Sequence, residues 1–368
     1  MRLKTSLLSF FLLPGFLQAQ QKYSNEFLNI GVGARAFGMS QSVVSSVNDV
    51  TAGYWNPAGL TQIEGPVQAS LMHSKYFAGL ARYDYAGIAA SVADNTAVVG
   101  LSVVRFGVDD IPDTSELIDA DGNINYDRVK SFSAADYAFI LSYARNARKK
   151  QMASSGDGAL IDGQKGFSYG ANVKVIHRKV GEYGKSFGFG LDFGIQYHSS
   201  NWSFGVMGRD ITTTYNSWSY NAEKLSTVYT TTGNEIPKNS TEFTYPRVVL
   251  GTAYSQRVGA DFGITGEANF SFTTDGKRNV LISADPVSVD PTVGLEADFK
   301  KIAFLRGGIG NIQKSTDFDG NKNYTYQPNV GIGVRIKNFC IDYALTDIGN
   351  TSDALYSNVF SVRFIFTK

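Results

Sequence analysis

The residues of this chain whose side chains could do chemistry are few and widely spaced. Its three histidines, His73, His177 and His198, have no second histidine four positions away and no cysteine beside them. A zinc centre needs three or four such ligands held together, so the histidines are predicted to be structural. No group of residues indicates a catalytic centre, and we predict that the protein is not an enzyme.

Two other patterns resemble ligand sites but are incomplete. Gly31, Gly33 and Ala36 fit the G-x-G-x-x-A spacing of a dinucleotide loop, yet no strand–helix–strand pattern follows them. The stretches 119–123 and 317–321 begin like calcium loops, but neither has glycine at the sixth position or glutamate at the twelfth. We interpret both stretches as turns at loop tips, and we predict no metal and no cofactor.

Composition narrows the class of protein. The 368 residues include 38 Gly, 25 Phe and 20 Tyr but only 9 Pro, and the formal net charge is +1. A nucleic-acid-binding protein would carry a basic face, so the balanced charge argues against a nucleic-acid partner. The single cysteine, Cys340, excludes a disulfide framework within the chain.

The N-terminus has the form of a secretory signal peptide. Arg2 and Lys4 precede an apolar stretch over residues 7–17, and a small-residue cleavage site ends at Ala19. Residues 1–19 are therefore predicted to be removed on export. No other stretch approaches the roughly 20 consecutive apolar residues that a membrane helix requires, so the exported protein is either soluble or crosses a membrane as strands.

Strict alternation of apolar and polar residues favours membrane-spanning strands. From 186 to 198 every odd position is aromatic or aliphatic and every even position is glycine or polar, and a similar period recurs over 136–143, 262–272 and 293–299. A membrane barrel needs this pattern because one strand face meets lipid and the other meets the lumen. A soluble β-sandwich also alternates, but aromatic residues recur here near strand ends, as interfacial girdles require. The predicted strands lie near 65–76, 81–92, 95–106, 131–144, 166–179, 185–198, 201–210, 242–255, 259–273, 290–299, 301–311, 325–337, 339–347 and 356–367.

The connections between these fourteen strands support the same fold. Those after strands 6, 10 and 12 are tight, and those after strands 3, 7, 9 and 11 are long, with one exception at 145–165. Bacterial barrels have short periplasmic turns, long external loops and an even number of strands. We therefore predict an all-β fold, a transmembrane antiparallel β-barrel of about 14 strands over residues 63–368.

The final strand supports an outer-membrane location. Phe360, Val362, Phe364 and Phe366 share one of its faces, and such an aromatic C-terminal strand resembles the signal read by outer-membrane assembly machinery. A multi-pass β-barrel in the outer membrane of a Gram-negative envelope is the predicted form, with membrane lipid as its surroundings.

Residues 20–62, between the cleavage site and the first strand, are predicted to form a plug inside this barrel. Their glycines and alanines allow close packing against the wall, and Arg35 could pair with carboxylates on the inward faces. Solvated charges in a wet lumen are the alternative. The charged residues predicted to face inward are Asp136, Asp192, Glu267, Glu296, Asp298, Asp342, Arg105, Lys174, Arg178, Arg209, Arg335 and Arg363.

The stretch GARAFGMSQSVVSSVNDVTAGYWNPAGL, residues 33–60, resembles the N-terminal signature of the PorV/PorQ-like outer-membrane proteins of the type IX secretion system, relatives of the FadL fatty-acid channels. Ser40, Gln41 and Asn48 depart from the family pattern. The matching residues are Gly33, Ala34, Arg35, Ala36, Gly38, Met39, Asp49, Trp55, Asn56, Pro57, Ala58, Gly59 and Leu60.

The resemblance implies a fourteen-stranded barrel with an N-terminal plug that serves protein export. Such a protein would bind the secretion translocon and pass secreted proteins, recognised by their C-terminal sorting domains, to the surface attachment machinery. The long loops 107–130 and 211–241 would then be docking surfaces. The alternative is a FadL-like transporter of small hydrophobic molecules, in which the plug moves and an opening in the wall releases the ligand. Charged inward faces favour the export role, because an apolar ligand would need an apolar lumen.

Overall fold

A closed antiparallel β-barrel accounts for most of the chain. The computed structural model describes residues 24–93, 96–119, 122–147, 166–232, 235–316, 322–346 and 357–367. The predicted signal peptide and most of the link 145–165 lie outside the described residues, as does the stretch 317–321.

Among the described residues, sixteen strands form one continuous sheet, and each pairs antiparallel with its neighbours. They are Val67–Tyr76 (β1), Ala81–Val92 (β2), Ala97–Asp113 (β3), Lys130–Asn146 (β4), Gly166–Val180 (β5), Gly184–Ser199 (β6), Trp202–Arg209 (β7), Thr214–Tyr220 (β8), Ser240–Thr244 (β9), Arg247–Val258 (β10), Phe262–Thr273 (β11), Ser288–Phe299 (β12), Ala303–Thr316 (β13), Lys322–Ile336 (β14), Phe339–Thr346 (β15) and Ser357–Phe366 (β16).

Fourteen of these strands make the closed wall. β1 to β7 pair in sequence, β7 pairs with β10, β10 to β16 continue in sequence, and β16 returns to β1 with Val67 opposite Phe366. The predicted barrel of about 14 strands is confirmed. Because short turns mark the periplasmic side of such barrels, the end that holds the start of β1 and the end of β16 is the periplasmic end.

β8 and β9 extend the wall at its external end. β6 pairs with β7 over 193–199 and with β8 over 184–189, and β8 pairs with β9. The prediction of one external loop over 211–241 is wrong in part. Pairing outside the membrane needs only backbone hydrogen bonds and no lipid-facing apolar pattern, so no alternation in the sequence marks these two strands.

The wall is interrupted where β7 gives way to β8 and β9 gives way to β10. Asp210 and Thr213, between β7 and β8, have positive φ angles of 54° and 59°. Between β9 and β10, Pro246 has no N–H to donate to the ladder. Both interruptions lie at the same level of adjacent strands, and we call this interruption of the two strands the wall break; the pairs β6–β7 and β7–β10 stay intact below it.

The helical elements are short. They are Ala34–Gly38 (α1), Ala52–Trp55 (α2), Ala222–Thr232 (α3) and the 3-10 turns Glu26–Asn29, Pro57–Gln62, Phe77–Gly79 and Tyr126–Arg128. In the part of the chain that the structure describes, no helix is long and apolar enough to cross a membrane.

Residues 24–62, which we call the lumenal segment, lie inside the barrel. The Gly33 amide contacts Met72 Sδ at 3.0 Å, and the hydroxyls of Tyr83 and Tyr85 donate to the backbone oxygens of Phe27 and Val50. The even residues of β1 and the odd residues of β2 therefore face inward. The alternate residues face outward, and they include Leu71, Ile88, Leu101, Phe139, Phe187, Phe189, Val362 and Phe366, all exposed on the outer surface.

Candidate functional site

The lumenal segment begins its tight packing at Gly33. This residue has a φ of +85°, in the region that favours glycine, and it is followed by α1, whose Ala34 amide donates to Ser361 Oγ at 3.0 Å. At the other end of α1, a Cβ on Gly38 would lie 3.0 Å from the Gly331 Cα of β14. Two glycines thus let α1 lie directly against the wall.

Arg35 of α1 joins a chain of four charged groups across the lumen. Its Nε and Nη2 donate to the two carboxylate oxygens of Glu296 at 3.0 and 3.1 Å. Arg306 Nε donates to the same carboxylate at 2.6 Å, and Arg306 Nη1 donates to Asp342 at 2.7 Å. The exposed fractions of the Arg35 and Glu296 side chains are 16% and 12%, so solvent screens this pair only weakly.

A second ion pair holds the middle of the segment. The Asp49 carboxylate pairs with Arg363 of β16 and accepts hydrogen bonds from the amide and hydroxyl of Thr51 at 2.8 and 2.5 Å. Asp49 is 8% exposed at its side chain. This carboxylate therefore both caps the turn before α2 and ties the segment to the wall.

Glu267 of β11 binds the segment through backbone amides. Its two oxygens accept hydrogen bonds from the N–H groups of Ser45 and Ser46 at 2.7 and 3.1 Å. Charge-assisted bonds of this kind are roughly twice as strong as neutral ones. The wall carboxylate thereby satisfies two amides of an irregular stretch that is buried away from solvent.

The Trp-Asn-Pro-Ala-Gly stretch ties the segment to itself and to β6. Trp55 Nε1 donates to the Val32 oxygen at 2.8 Å, and the fully buried Asn56 donates to the oxygens of Val44 and Ile195 at 3.0 and 3.1 Å. The side-chain oxygen of Asn56 also caps the 3-10 turn Pro57–Gln62 by accepting from the Ala58 amide.

Gly59 completes this stretch. A Cβ at this position would lie 2.3 Å from the Val47 oxygen and 3.1 Å from the Ala52 Cβ. Only glycine fits this approach without a shift of backbone atoms, so close packing explains why glycine is required here.

The remaining predicted lumenal charges lie at the two ends of the barrel. Arg335 pairs with Glu64 at 2.6 Å at the periplasmic mouth, where the lumenal segment leads into β1. Asp192 pairs with Lys174 at 2.7 Å towards the external end. The prediction that Arg105 faces inward is wrong, because the inward residues of β3 are the even ones, such as Ser102, which contacts Tyr85.

An external cavity lies beside the break in the wall, and the sequence did not predict it. Lys174 Nζ contacts both Asp192 and Asp210, at 2.7 and 2.5 Å, and Arg209 donates to the backbone oxygens of Leu28 and Tyr54, both at 3.3 Å. The cavity measures about 40 Å³. Its lining comes from the external end of the lumenal segment and from both interrupted strands, and includes Ser24, Glu26, Tyr54, Lys174, Asp192, Arg209, Asp210, Tyr245, Pro246, Arg247, Asp275 and Arg278.

The external end of the lumenal segment is held over this cavity by hydrogen bonds and one long ion pair. Ser24 donates to Glu242 at 3.2 Å, Asn25 donates to Thr244 at 2.8 Å, and Glu26 lies 3.6 Å from Arg278. Burial raises the pKa of Asp275, but hydrogen bonds and charge from Arg278 outweigh that effect and hold its pKa below the usual value. The Arg278–Asp275 pair is therefore ionised at neutral pH and fixes the loop after β11 beside the cavity.

Two serines stand in G-x-S-x-G strings of the kind found in hydrolases. Ser168 lies within β5 and Ser186 within β6. A hydrolase elbow instead places its serine on a sharp turn between a strand and a helix. These strings are consequently parts of wall strands. A Cβ on Gly170 would lie 2.7 Å from Pro57 of the lumenal segment, whereas one on Gly188 would meet Asn216 of β8.

Comparison with known proteins gives structural neighbours only. No family model and no curated protein matches the sequence. Among solved structures, the chain resembles the toluene transporter TodX of P. putida at 13% identity and a TM-score of 0.53, with 92% of this chain and 99% of that chain covered. It also resembles a Pseudomonas aeruginosa FadL homologue at 11% identity and a TM-score of 0.51, with 90% of this chain and 97% of that chain covered. The monoaromatic hydrocarbon channel CymD is similar at 11% identity and a TM-score of 0.53, with 92% of this chain and 98% of that chain covered.

Identities this low show the fold alone. The PorV/PorQ resemblance remains a prediction from the sequence motif. A closed antiparallel barrel with an apolar outer face is the form in which strands cross the outer membrane. The chain is therefore an outer-membrane β-barrel whose fold is similar to those of the toluene transporter TodX and the FadL homologue.

Proposed function

We propose that the protein is a plugged channel that admits small hydrophobic or amphipathic molecules through the outer membrane, as FadL-like transporters do. The observation that carries this proposal is the position of the external cavity. It lies beneath the external end of the lumenal segment and beside the wall break at Asp210 and Pro246. A molecule that entered the cavity would be next to a route along the lumen and a route through the wall.

In the resting state this cavity is too small for such a molecule. Its volume of about 40 Å³ accommodates roughly three waters, whereas a cavity that binds benzene measures about 150 Å³. Entry therefore requires the lumenal segment to move. Its external end, held by Ser24 and Asn25, has weaker anchors than the ion pairs of Arg35 and Asp49, so we propose that movement begins there.

The lining favours molecules that combine an apolar body with a polar group. Charged side chains of both signs, such as Lys174, Asp210 and Arg209, line the cavity beside the aromatic ring of Tyr54. A pure hydrocarbon would displace water from these groups without replacing its hydrogen bonds, which is unfavourable. An amphipathic ligand would satisfy at least some of them.

A reversible crosslink tests whether the segment must move. Ser42 Oγ lies 2.8 Å from Thr292 Oγ1 of β12, so cysteines at both positions would be within reach of a disulfide. In a Cys340→Ser background, the oxidised Ser42→Cys/Thr292→Cys protein should block entry of a labelled amphipath into proteoliposomes. Reduction should restore it.

The matched control joins two wall strands instead. Ser255 Oγ and Thr265 Oγ1 are directly opposite each other on β10 and β11 at 2.9 Å, so a disulfide there leaves the lumenal segment free. If the Ser42→Cys/Thr292→Cys protein takes up the amphipath equally well when oxidised and when reduced, passage does not require movement of the segment. Equal inhibition of uptake by the control crosslink would lead to the same conclusion.

A secretion accessory is the second candidate, and the observation that favours it is the match of residues 33–60 to the PorV/PorQ signature. The residues of that signature make the bonds that hold the lumenal segment to the wall, among them Arg35, Asp49 and Asn56. Recovery of a large translocon with the tagged protein, together with secreted proteins stranded in the periplasm after gene deletion, would support this role. Normal secretion with lost uptake of an amphipath would reject it.

A further inference from the structure

The external rim of the barrel carries a one-sided set of outward-facing cations. Lys75 is the outward residue nearest the end of β1, and Arg82 is its counterpart at the start of β2. Lys179 and Lys185 hold the same positions on β5 and β6. We call these four residues the outer cationic patch. On the same four strands, Met72, Tyr83, Asn172 and Asp192 contact the lumenal segment or the charged network inside the barrel. Successive side chains of a strand point to opposite faces, so the four cations, which alternate with these inward residues, face outward.

Within this patch like charges stand directly opposite one another. Lys75 is the cross-strand partner of Arg82, and Lys179 is the cross-strand partner of Lys185. Directly opposed residues on one face of an antiparallel pair have Cβ atoms about 5 Å apart, and like charges there are destabilising. Each pair would be stabilised by an anion placed between its two side chains.

The protein itself supplies little of that negative charge. Arg82 pairs with Asp109 at 3.1 Å, but among the described residues no ion pair is formed by Lys75, Lys179 or Lys185. Glu182, in the turn between β5 and β6, is already paired with Lys224 at 2.8 Å. Lys75 and the Lys179–Lys185 pair are therefore open to an external anion, while Arg82 keeps Asp109 as one partner.

The patch lies at the external border of the apolar band. On β1 the outward residues below Lys75 and His73 are Leu71, Ala69 and Val67, and on β6 those below Lys185 are Phe187 and Phe189. The turns that follow, 77–80 and 181–183, are short, so the wall there does not extend far above the membrane. The cations consequently sit at the level of lipid headgroups.

The opposite side of the rim differs. The outward residues near the external ends of β11 and β14 are aromatic, for example Phe270, Tyr324 and Tyr326. Those strands present the aromatic girdle that ordinary lipid contact requires, and the outward Lys314 of β13 is opposite Tyr324, whereas the sector from β1 to β6 presents two directly opposed cationic pairs. The difference points to a specific anionic lipid in that one sector.

We propose that the outer cationic patch binds the phosphate groups of lipopolysaccharide in the outer leaflet, with the acyl chains against the apolar residues below. Phosphate carries the charge to bridge two opposed cations, and a polybasic surface attracts anionic headgroups by about 1 kcal/mol per Lys or Arg. This site lies on the outside of the wall, so it stands whether or not the lumen conducts.

The test is titration of the full-length protein, in detergent, with fluorescent lipopolysaccharide. The variants Lys75→Ala/Arg82→Ala and Lys179→Ala/Lys185→Ala should each bind about thirtyfold more weakly, which corresponds to about 2 kcal/mol. The control Arg145→Ala/Lys300→Ala also removes two exposed cations, but at the periplasmic end, and should bind like the native protein. A mobility shift on boiling confirms that each variant is folded, and Gln replaces Ala where it is not.

Two other probes distinguish the possible sources of the binding signal. Dephosphorylated lipopolysaccharide should bind weakly, and inorganic phosphate should compete only at far higher concentration. Unchanged binding by both patch variants would overturn the proposal. So would equal binding of the dephosphorylated lipid, because the apolar band alone would then explain it, and so would inorganic phosphate that binds as tightly as the lipid.

Discussion

Removal of the Arg35 side chain should loosen the lumenal segment by a measurable amount. Deletion of one partner of a buried ion pair typically costs about 3–5 kcal/mol, because the other charge is left unpaired. Here Glu296 keeps Arg306 at 2.6 Å, so the cost for Arg35→Ala should be smaller, about 2 kcal/mol. At about 1.4 kcal/mol per tenfold change, the undocked state should be populated about thirtyfold more.

The rate of maleimide labelling of the Ser42→Cys variant, in the Cys340→Ser background, reports that population. Ser42 is completely buried, so a cysteine there reacts only when the segment leaves its site. Arg35→Ala should raise the labelling rate about thirtyfold, and the double variant with Glu296→Gln should change it by less than the sum of the single effects.

Arg82→Ala serves as the control for loss of an arginine. This side chain is 54% exposed, pairs with Asp109 on the outer surface, and should alter labelling by less than about twofold. If Arg35→Ala labels within about twofold of its parent, the Arg35–Glu296 pair does not hold the segment, and the reasoning from its geometry is refuted.

Three further predictions follow from single contacts. Gly59→Ala should destabilise the docked lumenal segment by about 1–3 kcal/mol through overpacking, because its Cβ would lie 2.3 Å from the Val47 oxygen, and should speed labelling of the Ser42→Cys variant. The control Gly166→Ala, whose Cβ would have nothing within 4 Å, should have no effect. Equal labelling rates in the two variants would contradict this prediction. Lys174→Met should lower the denaturation temperature of the barrel, since it leaves Asp192 and Asp210 without their shared cation, and an unchanged temperature would show that these carboxylates are otherwise satisfied. The pKa of Asp275 is lowered in the folded protein, so its stabilising pair with Arg278 is present above the unfolded pKa of 3.8 and is lost as the pH falls through the lower folded pKa. Amide hydrogen exchange over residues 274–278 should therefore accelerate only in that acidic range. The Asp275→Asn variant should show fast exchange at all pH values.

The barrel could be predicted from the sequence because lipid imposes a strict rule. Each wall strand must place apolar residues outward wherever it crosses the membrane, so β6 and its neighbours carry a regular alternation. Outside the membrane this rule does not apply, and the predicted end of β3 is wrong there. β3 continues to Asp113, well beyond its predicted end at residue 106, whereas β4 begins at Lys130, next to its predicted start at 131.

Charged residues were assigned to the lumen by the same rule, and the assignment was wrong near the external border of the membrane. Glu267 and Glu296, on strands deep in the membrane, face inward because lipid would not accept them. Arg105 lies near the external border of the apolar band, where an outward charge meets headgroups and contacts Asp84 at 3.2 Å. The sequence alone does not mark that border.

The external cavity could not be predicted, because it depends on contacts between distant parts of the chain. Ser24 meets Glu242 and Asn25 meets Thr244 across more than two hundred positions. Pro246 has no N–H to donate to a strand ladder, but Pro291 and Pro328 lie within β12 and β14, so a proline alone does not mark the break between β9 and β10.

Single-channel conductance of the purified protein in a planar bilayer tests the central claim most directly. If residues 24–62 close the lumen, the native protein should conduct little, and about 4 M urea, which releases weakly held segments before the barrel unfolds, should produce a large and reversible rise. The oxidised Ser42→Cys/Thr292→Cys protein should show a much smaller rise. A large conductance without urea, or an equal rise in the oxidised protein, would contradict the account.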